Sequence, residues 1–143
     1  MKVKTIKEKL FYVVAIGISI FLLFFFIAGT WIGYDVKSKC QDAKREYGGN
    51  LPNGKASCVE ALILVLEDES KGFRTRNNAI WVLGQLGDSR ALPVLESFYT
   101  GEIPDREPLD EMISQYELKK AINLTSGGTN ISAFIWRNFF NEK

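Results

Sequence analysis

The run from Leu10 to Tyr34 carries no charged residue, and nothing else in the chain constrains its fold as strongly. At 1.5 Å per residue, about 25 helical residues reach about 37 Å, more than the roughly 30 Å hydrocarbon core of a bilayer requires. The run therefore predicts a transmembrane helix over residues 10–34 that spans with some tilt. Tyr12 at one end and Trp31 and Tyr34 at the other put amphipathic rings where the two headgroup layers would lie. A buried core helix has no need of such rings.

A cleaved signal peptide is the competing reading, because Lys2, Lys4, Lys7 and Lys9 make residues 1–9 a basic flank. Signal h-regions run to about 15 residues, and Ala28, Gly29 and Thr30 make a poor cleavage site. Retention as a signal-anchor is the expectation. Lys37, Lys39, Lys44 and Arg45 balance the first flank in number, but the N-terminal set lies closer to the span and the first flank usually dominates. The expected topology is single-pass in a bacterial inner membrane, with the N-terminus cytoplasmic and the C-terminal domain periplasmic.

Beyond the span, residues 35–143 suffice for one compact domain and not for two. They divide into a juxtamembrane helix and loop, 35–56, and a helical domain, 57–143. This part holds 14 Lys and Arg against 16 Asp and Glu, a net charge of −2, which is no nucleic-acid footprint. The chain contains no histidine, which removes the commonest general base and the commonest metal ligand. Cys40 and Cys58 are the two cysteines and have no zinc-ligand cluster around them. No catalytic residue, metal site or cofactor is expected.

Helical periodicity dominates the remainder. Asp35 to Tyr47 either extends the membrane helix or forms a short one of its own, ended by Gly48 and Gly49, and GGNLPNGK reads as a loop. Ser57 and Glu60 make a capping box for a helix to Glu69, with Val59, Leu62, Ile63 and Leu66 on one stripe. A polar connector, Ser70 to Thr75, precedes a second helix with Ala79, Ile80, Leu83 and Leu86 inward, closed by Gly87. Asp88 caps a third, Ser89 to Tyr99, which Pro93 should bend. After a loop from Thr100 to Pro108, a fourth helix is expected over Leu109 to Leu124, with Leu109, Met112, Ile113 and Tyr116 on its stripe. The last, from Asn130, offers Ile131, Phe134, Ile135 and Phe139 at helical spacing. The expected class is all-α.

A short repeat supports paired helices: Ala61-Leu-Ile-Leu-Val-Leu-Glu67 returns 30 positions later as Ala91-Leu-Pro-Val-Leu-Glu96. Between them, Asn77 to Leu95, NNAIWVLGQLGDSRALPVL, with its A-x-x-x-L-G-x-L-G-D pattern, resembles the junction of HEAT repeats, especially the short HEAT-like repeats named after phycobilisome lyases. The resemblance implies a short α-solenoid of about two helix pairs. It also implies that Gly84 permits close helix approach, that Asp88 caps the next helix, and that Arg90 sits near a neighbour's carboxylates. Segments 35–47 and 130–140 are the expected end caps, since arrays this short need them.

Several smaller signals complete the reading. Cys40 and Cys58 bracket a loop that a disulfide would pin with roughly 3 kcal/mol of chain-entropy stabilisation, given an oxidising compartment. Arg74, Arg76 and Arg90, with Lys71, are candidates for an anion-binding ridge or for ordinary ion pairs, and Trp81 and Trp136 for partner anchors or capping residues. Gly29 and Gly33 form a G-x-x-x-G at the interfacial end of the span, which reads as chance. Glu67, Asp68 and Glu69 lack a calcium-loop pattern and read as a solvated helix end. Asn123 and Asn130 begin sequons of the kind that arise by chance.

The leading functional expectation is a non-catalytic protein-interaction scaffold or adaptor, held to the lipid bilayer through residues 10–34. Its partner would be a protein of unknown identity. A small accessory subunit of a membrane complex is the alternative, and a lyase-like enzyme is a third reading, suggested only by activities known among HEAT-like families.

Overall fold

A computed structural model describes residues 5–50 and 57–139. Six α-helices and two short 3-10 turns make up its regular structure, and no strand occurs among the described residues. Helix α1, Ile6–Tyr47, is one continuous rod of 42 residues: the juxtamembrane segment extends the apolar helix and does not form a separate one. Thr5 and Glu8 cap its start, and Gly48 ends it in a 3-10 turn, Gly48–Asn50. This helix is long and apolar enough to cross a membrane.

α1 has two different halves. From Ile6 to Ala28 nearly every side chain is exposed, and from Gly29 onward Gly29, Gly33, Val36, Cys40 and Ala43 are buried. Those positions, continued by half-buried Tyr47, alternate four and three residues apart, which is the narrow seam of a helix packed along a neighbour. The neighbour is α2, Cys58–Glu67, fixed at its first residue by the Cys40–Cys58 disulfide with a Cα separation of 5.3 Å. Ser57 and Glu60 close the expected capping box, and α2 lies between α1 and α3 with Ala61, Leu62 and Leu66 fully enclosed.

α3, Phe73–Leu86, starts inside the segment expected to be a connector. The turn before it is closed by Asp68, whose carboxylate accepts from the Ser70 N–H at 2.9 Å; α2 ends at Glu67, two residues short of the expected Glu69, and Asp68 to Gly72 remain outside helices. Gly87 terminates α3 at φ 63°, a left-handed position that a side chain would strain. Asp88 then accepts the Arg90 N–H and starts a 3-10 turn, Ser89–Ala91, that leads into α4, Leu92–Phe98. Pro93 causes no bend: it stands in the first turn of α4, where a missing N–H and a fixed φ are tolerated.

α5, Gln115–Thr125, begins six residues later than its apolar pattern suggests. Asn77 of α3 is responsible, because its buried amide donates to the carbonyls of Leu109 and Met112 at 2.9 and 2.8 Å and accepts the Ser114 N–H at 2.9 Å. Groups that a longer helix would pair internally are thereby committed to α3. Glu107 caps the new start, accepting from the Ser114 hydroxyl at 2.6 Å and the Gln115 N–H at 2.7 Å. Leu118 and Ala121 become the buried stripe, whereas Leu109 and Tyr116 are exposed.

The core thus consists of two stacked helix pairs, α2 with α3 and α4 with α5, joined across α3 and α5. Gly84 and Ala121 set the distance of that joint, since a Cβ on Gly84 would stand 2.9 Å from the Ala121 Cα. The last helix, α6 (Ile131–Phe139), packs mainly against α1 and does not extend the solenoid past α5. Its buried residues are Ala133, Ile135 and Trp136, while Ile131 and Phe134 face outward, a different face from the one its spacing suggests. Gly29 is the cause: Ile135 fills the space its missing side chain leaves, with a built Cβ only 2.9 Å from Cδ1. The G-x-x-x-G that reads as chance thus opens the seat of α6. The loop residues 51–56 and the termini, including Lys2, Lys4 and Phe140, lie outside the described residues.

Candidate functional site

The basic and aromatic candidates do not form one ridge. Arg74, exposed at the start of α3, makes a paired contact with Asp110, Nε to Oδ1 at 2.7 Å and a terminal nitrogen to Oδ2 at 2.8 Å. The carboxylate holds the Arg74 guanidinium above its ordinary pKa, and the guanidinium holds Asp110 below. This pair straps the long connector between α4 and α5 onto α3.

Arg76 points the other way. It is buried, its Nε donates to the Leu66 carbonyl at 2.8 Å, and its guanidinium lies 5.6 Å from the Phe98 ring centroid. The last carbonyls of a helix have no internal partner, so Arg76 closes the end of α2 from inside the domain.

Arg90 grips Asp88 at 2.8 Å and comes within 3.6 Å of Glu60 and 3.4 Å of the Ser57 hydroxyl. It ties the start of α2 to the turn before α4. The hydrogen bond between them raises Arg90 and lowers Asp88. Lys71 pairs with Glu46 of α1, which raises the ammonium pKa. These four cations are each engaged within the chain, with different partners, Asp110, Leu66, Asp88 and Glu46.

Trp136 is 4 % exposed and belongs to the core on the α1 side, with the Arg137 guanidinium 5.7 Å from its ring. Arg137 also donates to the Gln85 carbonyl at the end of α3, and burial lowers its pKa. Asn130, a sequon residue, starts α6 by accepting from Ala133 N–H at 3.2 Å and donates to Gln85 at 2.9 Å.

Trp81 is different. Half-buried, it lines a shallow cleft of about 50 Å³ with Gly84, Gln85, Glu117, Lys120 and Leu124, along the seam between α3 and α5. Lys120, which shares the cleft with Trp81, is held by Glu117 at 2.6 Å, and its ammonium lies 4.6 Å over the Tyr116 ring. A space that size admits a water molecule or two and no organic substrate. Spacing alone could not find this surface, because Tyr116 reads as a core residue of a longer α5. The signal that was available is Gly84, whose small size draws α5 onto the Trp81 side of α3.

Another functional pairing escaped the sequence altogether. Tyr47, at the end of α1, donates its hydroxyl to Asp68 at the end of α2. Burial and then the carboxylate push the phenol up to about 12, while Ser70 and Tyr47 hold Asp68 down to about 2. Asp68 thus has a structural role in place of the solvated one expected.

No curated protein and no solved structure shows significant similarity to the chain. The sequence profile of the PBS lyase HEAT-like repeat matches residues 75–100, the stretch from the first turn of α3 through α4. It includes Trp81, Gly84, Gly87, Asp88 and Arg90, whose packing and capping roles are those described above. The chain therefore carries a PBS lyase HEAT-like repeat at residues 75–100.

Proposed function

We propose that this protein is a membrane-tethered, non-catalytic scaffold or adaptor that presents the α3–α5 face to a protein partner. The observation that carries this reading is the HEAT-like repeat whose seam exposes Trp81, Tyr116 and Lys120 together. Exposed or half-exposed Trp and Tyr side chains are common anchors of protein interfaces. Helix α1 supplies the tether: Leu10 to Ala28 offers apolar side chains to its surroundings over most of a bilayer's thickness. The Cys40–Cys58 bridge supports an oxidising compartment, and with the basic N-terminal flank it favours a cytoplasmic N-terminus and a periplasmic domain.

Photo-crosslinking from position 116 in intact membranes tests the interaction. One discrete protein adduct, lost in Trp81→Ala and retained in Glu96→Gln, is the expected result. Recovery of the bare monomer alone overturns the scaffold reading. The accessory-subunit alternative gains support from the docking of α6 on α1, which makes anchor and domain one body. Replacing only residues 6–28 with an unrelated span separates the two: the subunit reading loses function, the scaffold reading keeps it.

A further inference from the structure

α6 sits at an unusual height on α1. Its Ile135 fills the space beside Gly29, and Gly29 belongs to the charge-free run that continues to Tyr34. At 1.5 Å per residue, Gly29 is about 3 Å along the axis from Trp31 and about 8 Å from Tyr34. Those two rings are 76 % and 72 % exposed and suit the headgroup layer. α6 therefore crosses α1 at the depth of the aromatic belt, if the tethering proposed above holds.

The face that α6 turns outward fits that depth. Ile131 and Phe134, three residues apart, share the exposed side of the helix, and buried Ile135, four residues after Ile131, borders that side. Ile135 at that border meets Gly29, the point where α1 passes from buried to exposed. Ile131 and Phe134 lie beyond it at 69 % and 77 % exposure. Away from that side Ala133 and Trp136 are buried in the domain, while Asn130 and Arg137, four residues before and three after Phe134, are tied to Gln85 of α3. Two large apolar side chains are thus exposed on the helix that meets α1 where its exposed apolar half begins.

We propose that α6 is an interfacial helix, with Ile131 and Phe134 inserted at the boundary between headgroups and acyl chains. The chain is then held by a span and by a second helix whose apolar side chains enter the membrane interface, as those of an amphipathic surface helix do. The occupant of this face is lipid, because the face continues the surface that α1 offers to the bilayer.

Spin labels at introduced cysteines test this in the full chain, with the native disulfide intact, in nanodiscs of phosphatidylcholine and phosphatidylglycerol. Labels at 131, 134, 20 and 96 are compared by power saturation with oxygen and with a water-soluble nickel chelate. Positions 131 and 134 should show an oxygen-to-nickel accessibility ratio several-fold above that of 96 and below that of 20. A ratio at 131 and 134 equal to that at 96, with 20 still in lipid, overturns the interfacial helix and leaves the anchor standing. Low accessibility to both reagents at 131 and 134 means that protein covers the face, and also overturns it. An aqueous signal at 20 overturns the tethering on which the inference rests.

Discussion

Replacing Gly84 with alanine tests the joint on which the repeat stack depends. Two effects oppose each other. Alanine in a helix interior is favoured over glycine by about 1 kcal/mol. The added methyl would stand 2.9 Å from the Ala121 Cα and 3.0 Å from its Cβ, and the nearer atom is backbone that no rotamer change can move. Overpacking of a well-filled core costs about 1–3 kcal/mol, and a backbone obstacle belongs at the upper end. The net expectation is a loss of about 2 kcal/mol, which for a domain near 100 residues lowers Tm by roughly 10 °C or more. Thermal unfolding of the full chain in nanodiscs, followed by tryptophan near-ultraviolet dichroism, reads the domain and not the span. Gly84→Ser and Gly84→Val should fall further, in that order. An unchanged or raised Tm for Gly84→Ala would refute the close contact of α3 with α5, because helix propensity would then have won.

Four more perturbations bear on the fold and the site. Reducing the Cys40–Cys58 bridge, which joins residues 18 apart, should lower unfolding stability by about 3 kcal/mol, read as a shift of the urea midpoint with and without reductant. Asn77→Ala strands two carbonyls and one N–H in the interior and should cost roughly 2–3 kcal/mol, with hydrogen exchange at Ser114 to Tyr116 accelerating first. The Tyr47–Asp68 pair gives stability two pH flanks. Asp68, lowered in the fold from 3.8 to about 2, contributes fully above pH 4 and loses its contribution as pH falls toward 2; Tyr47, raised from 10 to about 12, contributes fully below pH 10 and loses it as pH rises toward 12. Tyr47→Phe should abolish the alkaline flank and leave part of the acid one through Ser70, in urea midpoints taken across pH 2.5 to 11.5. Trp81→Ala should leave Tm within a few degrees, since Trp81 is only half-buried, while removing the crosslinked partner.

Local signals were legible where the chemistry is local. Ser57 with Glu60, Gly87 and Asp88 mark real helix ends, because a cap involves residues three or four apart. The length of α5 was not legible, since its start is decided by Asn77 from more than 30 residues away. Arg76 has the sequence surroundings of a solvated cation, and only the open carbonyl of Leu66, brought near by the α2–α3 turn, explains its burial. The face of α6 was equally hidden: its sequence is apolar on several sides, and the choice is made by the glycine opposite. One signal was present and unread, the four-three spacing of Gly29, Gly33, Val36, Cys40, Ala43 and Tyr47.

That spacing changes what the charge-free run means. A span normally ends where the charges resume, which here is Asp35, yet the folded domain claims α1 from Gly29. The last turn and a half of the run therefore has one side for the domain, small because α6 must come close, and another side, Trp31 and Tyr34, for the surroundings. From Gly29 to Tyr47 the rod is about 27 Å long, and α2, α3 and α6 all pack against it. No break in α1 separates its exposed apolar half from the domain, and the Cys40–Cys58 bridge and the Lys71–Glu46 pair tie α1 to the repeat stack. In the tethered reading the Trp81–Tyr116 face then stands at a set height and heading above the bilayer, so a partner able to use it must itself be held at the membrane or reach down to it.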